Sequence, residues 1–244
     1  MSAIRLRIVS CFVFVITAAV FADDNVATSA SNSAPPKSTP GWVVVEEDIW
    51  LRFSDEPSHH LHQAHESFIK QKYKAAANDV VKAAGYVHIA AQNAASGTKA
   101  ALIASAQELD RLAKDIKSGA VTSVKKLESA FARAEHALAA HYQAKARSAL
   151  RQKKHASAGH YLRSAVNHVE NGAKWTGHKL ESGVVAAASG VRTVAGKLVE
   201  GSGFVLDEVG KGVEWVGVEV EKLGKQLEPR QKTDSVAKPS ATKG

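Results

Sequence analysis

The sequence predicts an all-α protein: an Ala-rich antiparallel helical bundle, followed by a C-terminal amphipathic helix built on glycine heptads, between disordered termini. Three observations carry that reading. Between residues 58 and 182, apolar side chains recur at three- and four-residue steps, the period of a helix face. Short breaks such as Ser96-Gly97-Thr98 separate these runs, and short loops between long helices make antiparallel neighbours. From 196 to 230 the chain divides into five heptads, each opening with glycine.

Residues 1–22 read as a secretory signal peptide. Arg5 and Arg7 supply a positive start, Ile8 to Val20 is almost unbroken in its apolarity, and Val20-Phe21-Ala22 offers a cleavage site before Asp23-Asp24. The apolar run is shorter than the roughly 20 residues a membrane span needs. The only cysteine, Cys11, lies within this segment, so the exported chain carries no disulfide, thiolate ligand or cysteine nucleophile. A periplasmic or secreted location follows. Residues 23–41 are rich in Ser, Ala and Pro and form a disordered linker. The acidic stretch 42–57 holds Trp42 and Trp50, which suggests that it packs on the basic bundle.

The formal charge is +8, and the excess of lysine and arginine lies between Lys70 and Lys179. Outside the cytoplasm such a surface suits anionic lipid, cell-wall polymer or an acidic protein. Nucleic acid is excluded as a partner, because no aromatic platform is interleaved with the cations.

Within the bundle, Leu61, Ala64, Phe68, Ala76, Val80, Ala83, Val87 and Ala91 define the first apolar stripe. Thr98 is the expected N-cap of the next helix, whose stripe is Leu102, Ala106, Leu109, Leu112 and Ile116 and whose stop is Gly119. Val124, Leu127, Phe131, Ala134, Leu138, His141 and Lys145 mark a long third helix, and Tyr161, Ala165, Val169 and Ala173 a fourth. An internal repeat lies across them. Residues 68–84 align without gaps on 149–165, with Gln71-Lys72 meeting Gln152-Lys153 and "KQKYK" meeting "RQKKH" as turns between paired helices. Two copies with other helices between them do not make a solenoid. An Ala-rich hairpin carried twice on an exported chain resembles the YfdX-type bacterial periplasmic proteins. That resemblance implies a helical fold in the bacterial envelope and transfers no site residues.

Residues 183–228 are expected to form one amphipathic heptad helix. Gly196, Gly203, Gly210, Gly217 and Gly224 fall at strict sevens; Val199, Leu206, Val213, Val220 and Leu227 take the fourth place; Val209, Val216 and Leu223 take the last. Valine and leucine then form one stripe, and the glycine column beside it lets a partner come close. Each mid-helix glycine costs about 1 kcal/mol against alanine, so such a helix folds only when its stripe meets something. A second copy, the bundle itself or a membrane surface would each serve. Residues 229–244 are a basic, disordered tail.

Four histidines stand in "HHLHQAH" (59–65). His59, His62 and His65 are the candidate metal ligands, for zinc or nickel, with solvated or core histidines as the alternative. Against a metalloenzyme, His65-Glu66 does not continue as HExxH, and no CxxCH occurs for haem. No nucleophile elbow, phosphate loop or dinucleotide fingerprint is present, so no catalytic residue and no required cofactor is assigned. The leading expectation is an exported non-enzymatic helical protein of the bacterial envelope, acting by protein interaction or self-association. The alternative is a His-rich bundle that binds a divalent metal.

Overall fold

A computed structural model describes residues 53–177 and 181–228. The signal, linker and tail assignments, and most of the Trp-containing segment, lie outside those residues. A 3-10 turn at Phe53–Asp55 leads into seven α-helices: α1 Glu56–Ile69, α2 Tyr73–Gln92, α3 Ser96–Lys117, α4 Val124–Arg151, α5 His155–Trp175, α6 Ser182–Glu200 and α7 Leu206–Leu227. There is no strand among the described residues, and the helices pack on one another in antiparallel order. None is long and apolar enough to cross a membrane.

The expected stripes are the core. Leu61, Val80, Val87, Leu102, Leu109, Leu127, Phe131 and Leu138 are fully buried, with alanines such as Ala64, Ala83 and Ala134 between them, and Leu162, outside the expected stripe, joins them. The alanines let helix axes approach, while the few leucines supply most of the buried area; truncating one typically costs about 2–5 kcal/mol. Helix α3 begins two residues before the expected cap. Ala95 is its N-cap, and the Thr98 hydroxyl donates back to the Ala95 carbonyl instead of capping. Its end is as expected: Gly119 is left-handed (φ 75°), and the Ala120 N–H bonds to the Asp115 carbonyl.

The repeat is real, but its register differs from the gapless alignment by one residue. In the structure, the turn bond from Lys72 N–H to the Ser67 carbonyl recurs as Lys154 to Ala149, and Gln71 (φ 56°) recurs as Lys153 (φ 57°). The step is therefore 82 residues, as from Lys72 to Lys154. Burial follows the same step: Ala76, Val80, Ala83, Ala84 and Val87 are matched by Ala158, Leu162, Ala165, Val166 and Val169, all buried. The step also continues through the other helices. The Gly201 turn (φ 72°) copies the Gly119 turn, and α7 copies the first part of α4, with Val209, Val213 and Val216 in the places of Leu127, Phe131 and Ala134. The repeating unit is thus three helices. Helix α4 ends one unit and begins the next, so the unit is larger than a two-helix hairpin.

The C-terminal segment departs from expectation in a second way. It is two helices, because the chain turns at Gly201 and at Gly203 (φ 69°), both left-handed. Helix α6 lies on α5, and α7 lies on α4 and α5, antiparallel to α4. The Gln143 side-chain amide donates to the Val213 carbonyl at 2.9 Å, pinning α7 by its backbone.

Candidate functional site

The heptad residues are mostly accounted for by this packing. Val209, Val213, Val216 and Leu223 are buried in the chain's own core, and Val199, Val220 and Leu227 are half-buried. Leu206, at the start of α7, is instead 65% exposed. The glycine column divides. A methyl group on Gly196 or Gly210 would meet nothing, and Gly203 serves the turn. Gly217 and Gly224 face the side chains of Gln143 and His136 on α4, so these two do allow close approach. The tightest backbone approach lies outside the heptads, at Gly159, where a methyl group would overlap the Ala195 carbonyl of α6. The stripe's partner is therefore the bundle, one of the three expected.

The three candidate ligands are placed differently from one another. Steps of three residues drift by about 60° each around a helix, so His59, His62 and His65 fan out. His59 is exposed, with its Nε2 2.8 Å from the Gln63 amide. His62 and His65 both lie on the Trp175 ring, at 4.6 and 5.1 Å between centroids, and His65 Nε2 is 3.1 Å from Glu128. The described residues contain no group of three or more histidine, cysteine or carboxylate side chains that could hold a metal ion.

The chemically dense part of the core lies elsewhere, where the 3-10 turn, α1, α4 and α5 meet. His168 Nδ1 is 2.6 Å from Glu135 Oε2, both side chains being fully buried, and the Ser58 hydroxyl donates to the same oxygen at 3.0 Å. His168 Nε2 faces the Ser54 carbonyl at 3.0 Å, and the Ser164 hydroxyl donates to Ser54 Oγ at 2.8 Å. A carbonyl only accepts, so Nε2 carries a hydrogen. The proton on the short Nδ1–Oε2 bond then makes the group a hydrogen-bonded acid–base pair, overall neutral and sealed in the core.

Serine, histidine and carboxylate invite comparison with a nucleophilic relay, but the geometry differs. A relay sets serine and acid on opposite ring nitrogens. Here both approach Nδ1, Ser58 Oγ at 3.3 Å, while Nε2 is held by a backbone carbonyl. The arrangement ties four segments together and leaves no nitrogen to activate Ser58. Sequence reading did not find it, since three residues from distant helices have no local spacing.

The repeat explains why this pair sits where it does. One unit earlier, the positions of Glu135 and His168 are Phe53 and Tyr86, stacked with centroids 6.0 Å apart. The Tyr142 ring stacks on His168 at 5.3 Å, just as His60 stacks on Tyr86 at 5.9 Å. One backbone contact is thus filled by an aromatic pair in the first unit and by an acid–base pair in the second.

No family model, curated protein or solved structure matches this chain. The site has to be read from its own residues.

His141 lies on the apolar stripe of α4. It is fully buried, but neither ring nitrogen has a hydrogen-bond partner. Burial, with the nearby charges of Lys145 and His168 adding to it, pulls its pKa from 6.5 down to about 3. The unfolded chain therefore takes up a proton below pH 6.5 that the folded chain refuses until about pH 3. Stability should fall as pH drops through that window, by up to about 1.4 kcal/mol per pH unit from this residue. Replacing His141 with leucine, the residue that α7 carries at the matching position (Leu223), should flatten that part of the profile in urea titrations. An unchanged slope would assign the acid sensitivity to other groups.

Two concavities mark the described surface, one of about 610 Å³ along Gln71–Ala75 and Asn78. A second, of about 200 Å³, lies between α3 and α4, lined by Glu108, Arg111, Leu112, Asp115, Lys126 and Ala130. The groups with chemical potential, Glu135, His141 and His168, are all closed off from solvent.

Proposed function

We propose that this is an exported, non-enzymatic helical protein of the bacterial envelope that works by binding another macromolecule through its outer surface. The observation that carries the reading is the placement of reactive groups. The buried acid–base pair and His141 are fully covered, and the pair's hydrogen bonds are directed at its own backbone and side chains. What the chain offers to a partner is therefore helix surface. The Arg5, Arg7 and Val20-Phe21-Ala22 pattern supports export, and the YfdX-type resemblance points to the same setting. Self-association through the α7 stripe loses support, because that stripe already packs on α4 and α5.

Cell fractionation with N-terminal sequencing tests the first half: the protein should lie outside the cytoplasm and start near Asp23. Cross-linking in intact cells tests the second, with solvent-facing positions expected to capture a partner. A cytoplasmic protein with Met1 or Ser2 retained would sink the proposal.

A further inference from the structure

We infer that the end of the bundle around the α1–α2 turn is a docking surface for anionic phospholipid bilayers. The turn Lys70–Lys72 is flanked by two apolar side chains turned outward, Ile69 at 57% and Tyr73 at 43% exposure. Backbone geometry does not require this. The copied turn at Gln152–Lys154 has the same hydrogen bonds and the same left-handed residue, yet places Arg151 and His155 there. His155 is further covered by the Phe204 ring at 4.9 Å. Within the copied turn itself no apolar side chain flanks the bend; the exposed Val205 and Leu206 near it belong to the start of α7. At the first turn, Ile69 and Tyr73, whose ring edge meets Phe68 at 5.3 Å, flank the bend directly.

The charge around that tip is cationic. Lys72 and Lys74 have no carboxylate partner among the described residues, and Lys70 meets only the exposed Glu66 at 3.4 Å. The Lys126–Asp115 ion pair at 3.1 Å ties the last turn of α3, with Lys114 and Lys117 also without carboxylate partners among the described residues, to the start of α4 at that end. The 3.1 Å contact between His65 and Glu128 brings the start of α4, with Lys125, to it as well. An apolar tip ringed by flexible lysines suits a bilayer whose headgroups are negative. The lysines reach the phosphates while Ile69 and Tyr73 enter the interfacial layer. An acidic protein would be met as well by the lysines alone and would leave the outward isoleucine and tyrosine without purpose.

The inference rests on the export reading only for which bilayer is met. Vesicle binding can fail while fractionation stands, and the reverse, so the two are tested separately. The probe is a vesicle of equal parts phosphatidylglycerol and phosphatidylcholine, sedimented with the full chain and with the chain from Asp23, so that the apolar segment 8–20 is not what is measured. Both should pellet, less so as salt rises, and the Asp23 form should ignore pure phosphatidylcholine. A lysine near an anionic surface is worth roughly fivefold in binding. Lys72→Glu with Lys117→Glu should therefore lose more than roughly tenfold, and Ile69→Ser with Tyr73→Ser should lose several-fold with charge unchanged. Arg151→Glu with Lys153→Glu, at the copied turn, should change little. Circular dichroism of each variant checks that the helices are intact. Absence of binding by the Asp23 form, or equal loss from the copied-turn variant, would overturn the assignment. So would retention by a soluble polyanion such as heparin that Ile69→Ser and Tyr73→Ser leave untouched.

Discussion

Replacing His168 with alanine is expected to destabilise the protein by about 3–5 kcal/mol, because it leaves Glu135 buried without the imidazole that shares its proton. Glu135 is fully covered and its second oxygen, Oε1, already lacks a hydrogen-bond partner, so only the Ser58 hydroxyl would be left to it. The Ser54 carbonyl would lose its donor as well, leaving the Ser164 and Asn167 side chains as the remaining polar ties from α5 to the 3-10 turn. The repeat supplies an unusual rescue. Glu135→Phe together with His168→Tyr installs the pair that the first unit uses at the same contact, Phe53 on Tyr86. Buried ion pairs exchanged for packed apolar groups are often neutral, so the double variant should recover most of the loss in urea or thermal unfolding. A double variant as unstable as His168→Ala would show that the two contacts are not interchangeable.

The second large effect concerns α7. Val216 is fully buried where α4 carries Ala134. Aspartate there would put an unpaired carboxylate into the seam, and buried unpaired charge belongs to the short list of changes that exceed about 4 kcal/mol. We expect α7 to leave the bundle while α1 to α4 remain folded, seen as lost amide protection in α7 and cleavage in the 201–205 turn. Gly210→Ala gives the opposite sign. A methyl group there meets nothing, so helix propensity should raise stability by about 1 kcal/mol. Protection of α7 that survives Val216→Asp would mean that the Gln143 bond to the Val213 carbonyl, with other contacts, holds it without the stripe.

Helix positions and the core were legible because burial imposes the 3.6-residue period on apolar side chains, and Leu61, Leu109, Leu127 and Leu138 fall where that period puts them. The repeat was legible but misregistered. Identical residues such as Gln71-Lys72 and Gln152-Lys153 favour a step one residue short, and alanines match one another at almost any step. The structure sets the register by which alanines are covered and by the left-handed turn residue. The break in the heptads was written as Gly201-Ser202-Gly203, a turn signal that a strict period of seven runs straight through. The Glu135–His168 pair had no sequence signal, because its partners are joined by tertiary packing alone. Of the three candidate ligands, His62 and His65 lie together against Trp175, while His59 is exposed beside Gln63.

The last helix repays one more comparison. At the places of the buried Ala132, Ala139 and Ala146 of α4, helix α7 carries the exposed Glu214, Glu221 and Glu228. A helix that is packed on both sides in the middle of the array is thus charged on its outer side at the end, which closes the stack to further growth. Because each unit has three helices, every added unit reverses direction. Inserting one more 82-residue module before α7 would move the end of α7 to the opposite pole, and only an even number of insertions would restore it. Chain length in such an array is therefore coupled to polarity: parity decides whether the end of the last helix and the lysine-ringed tip lie on the same side or on opposite ones.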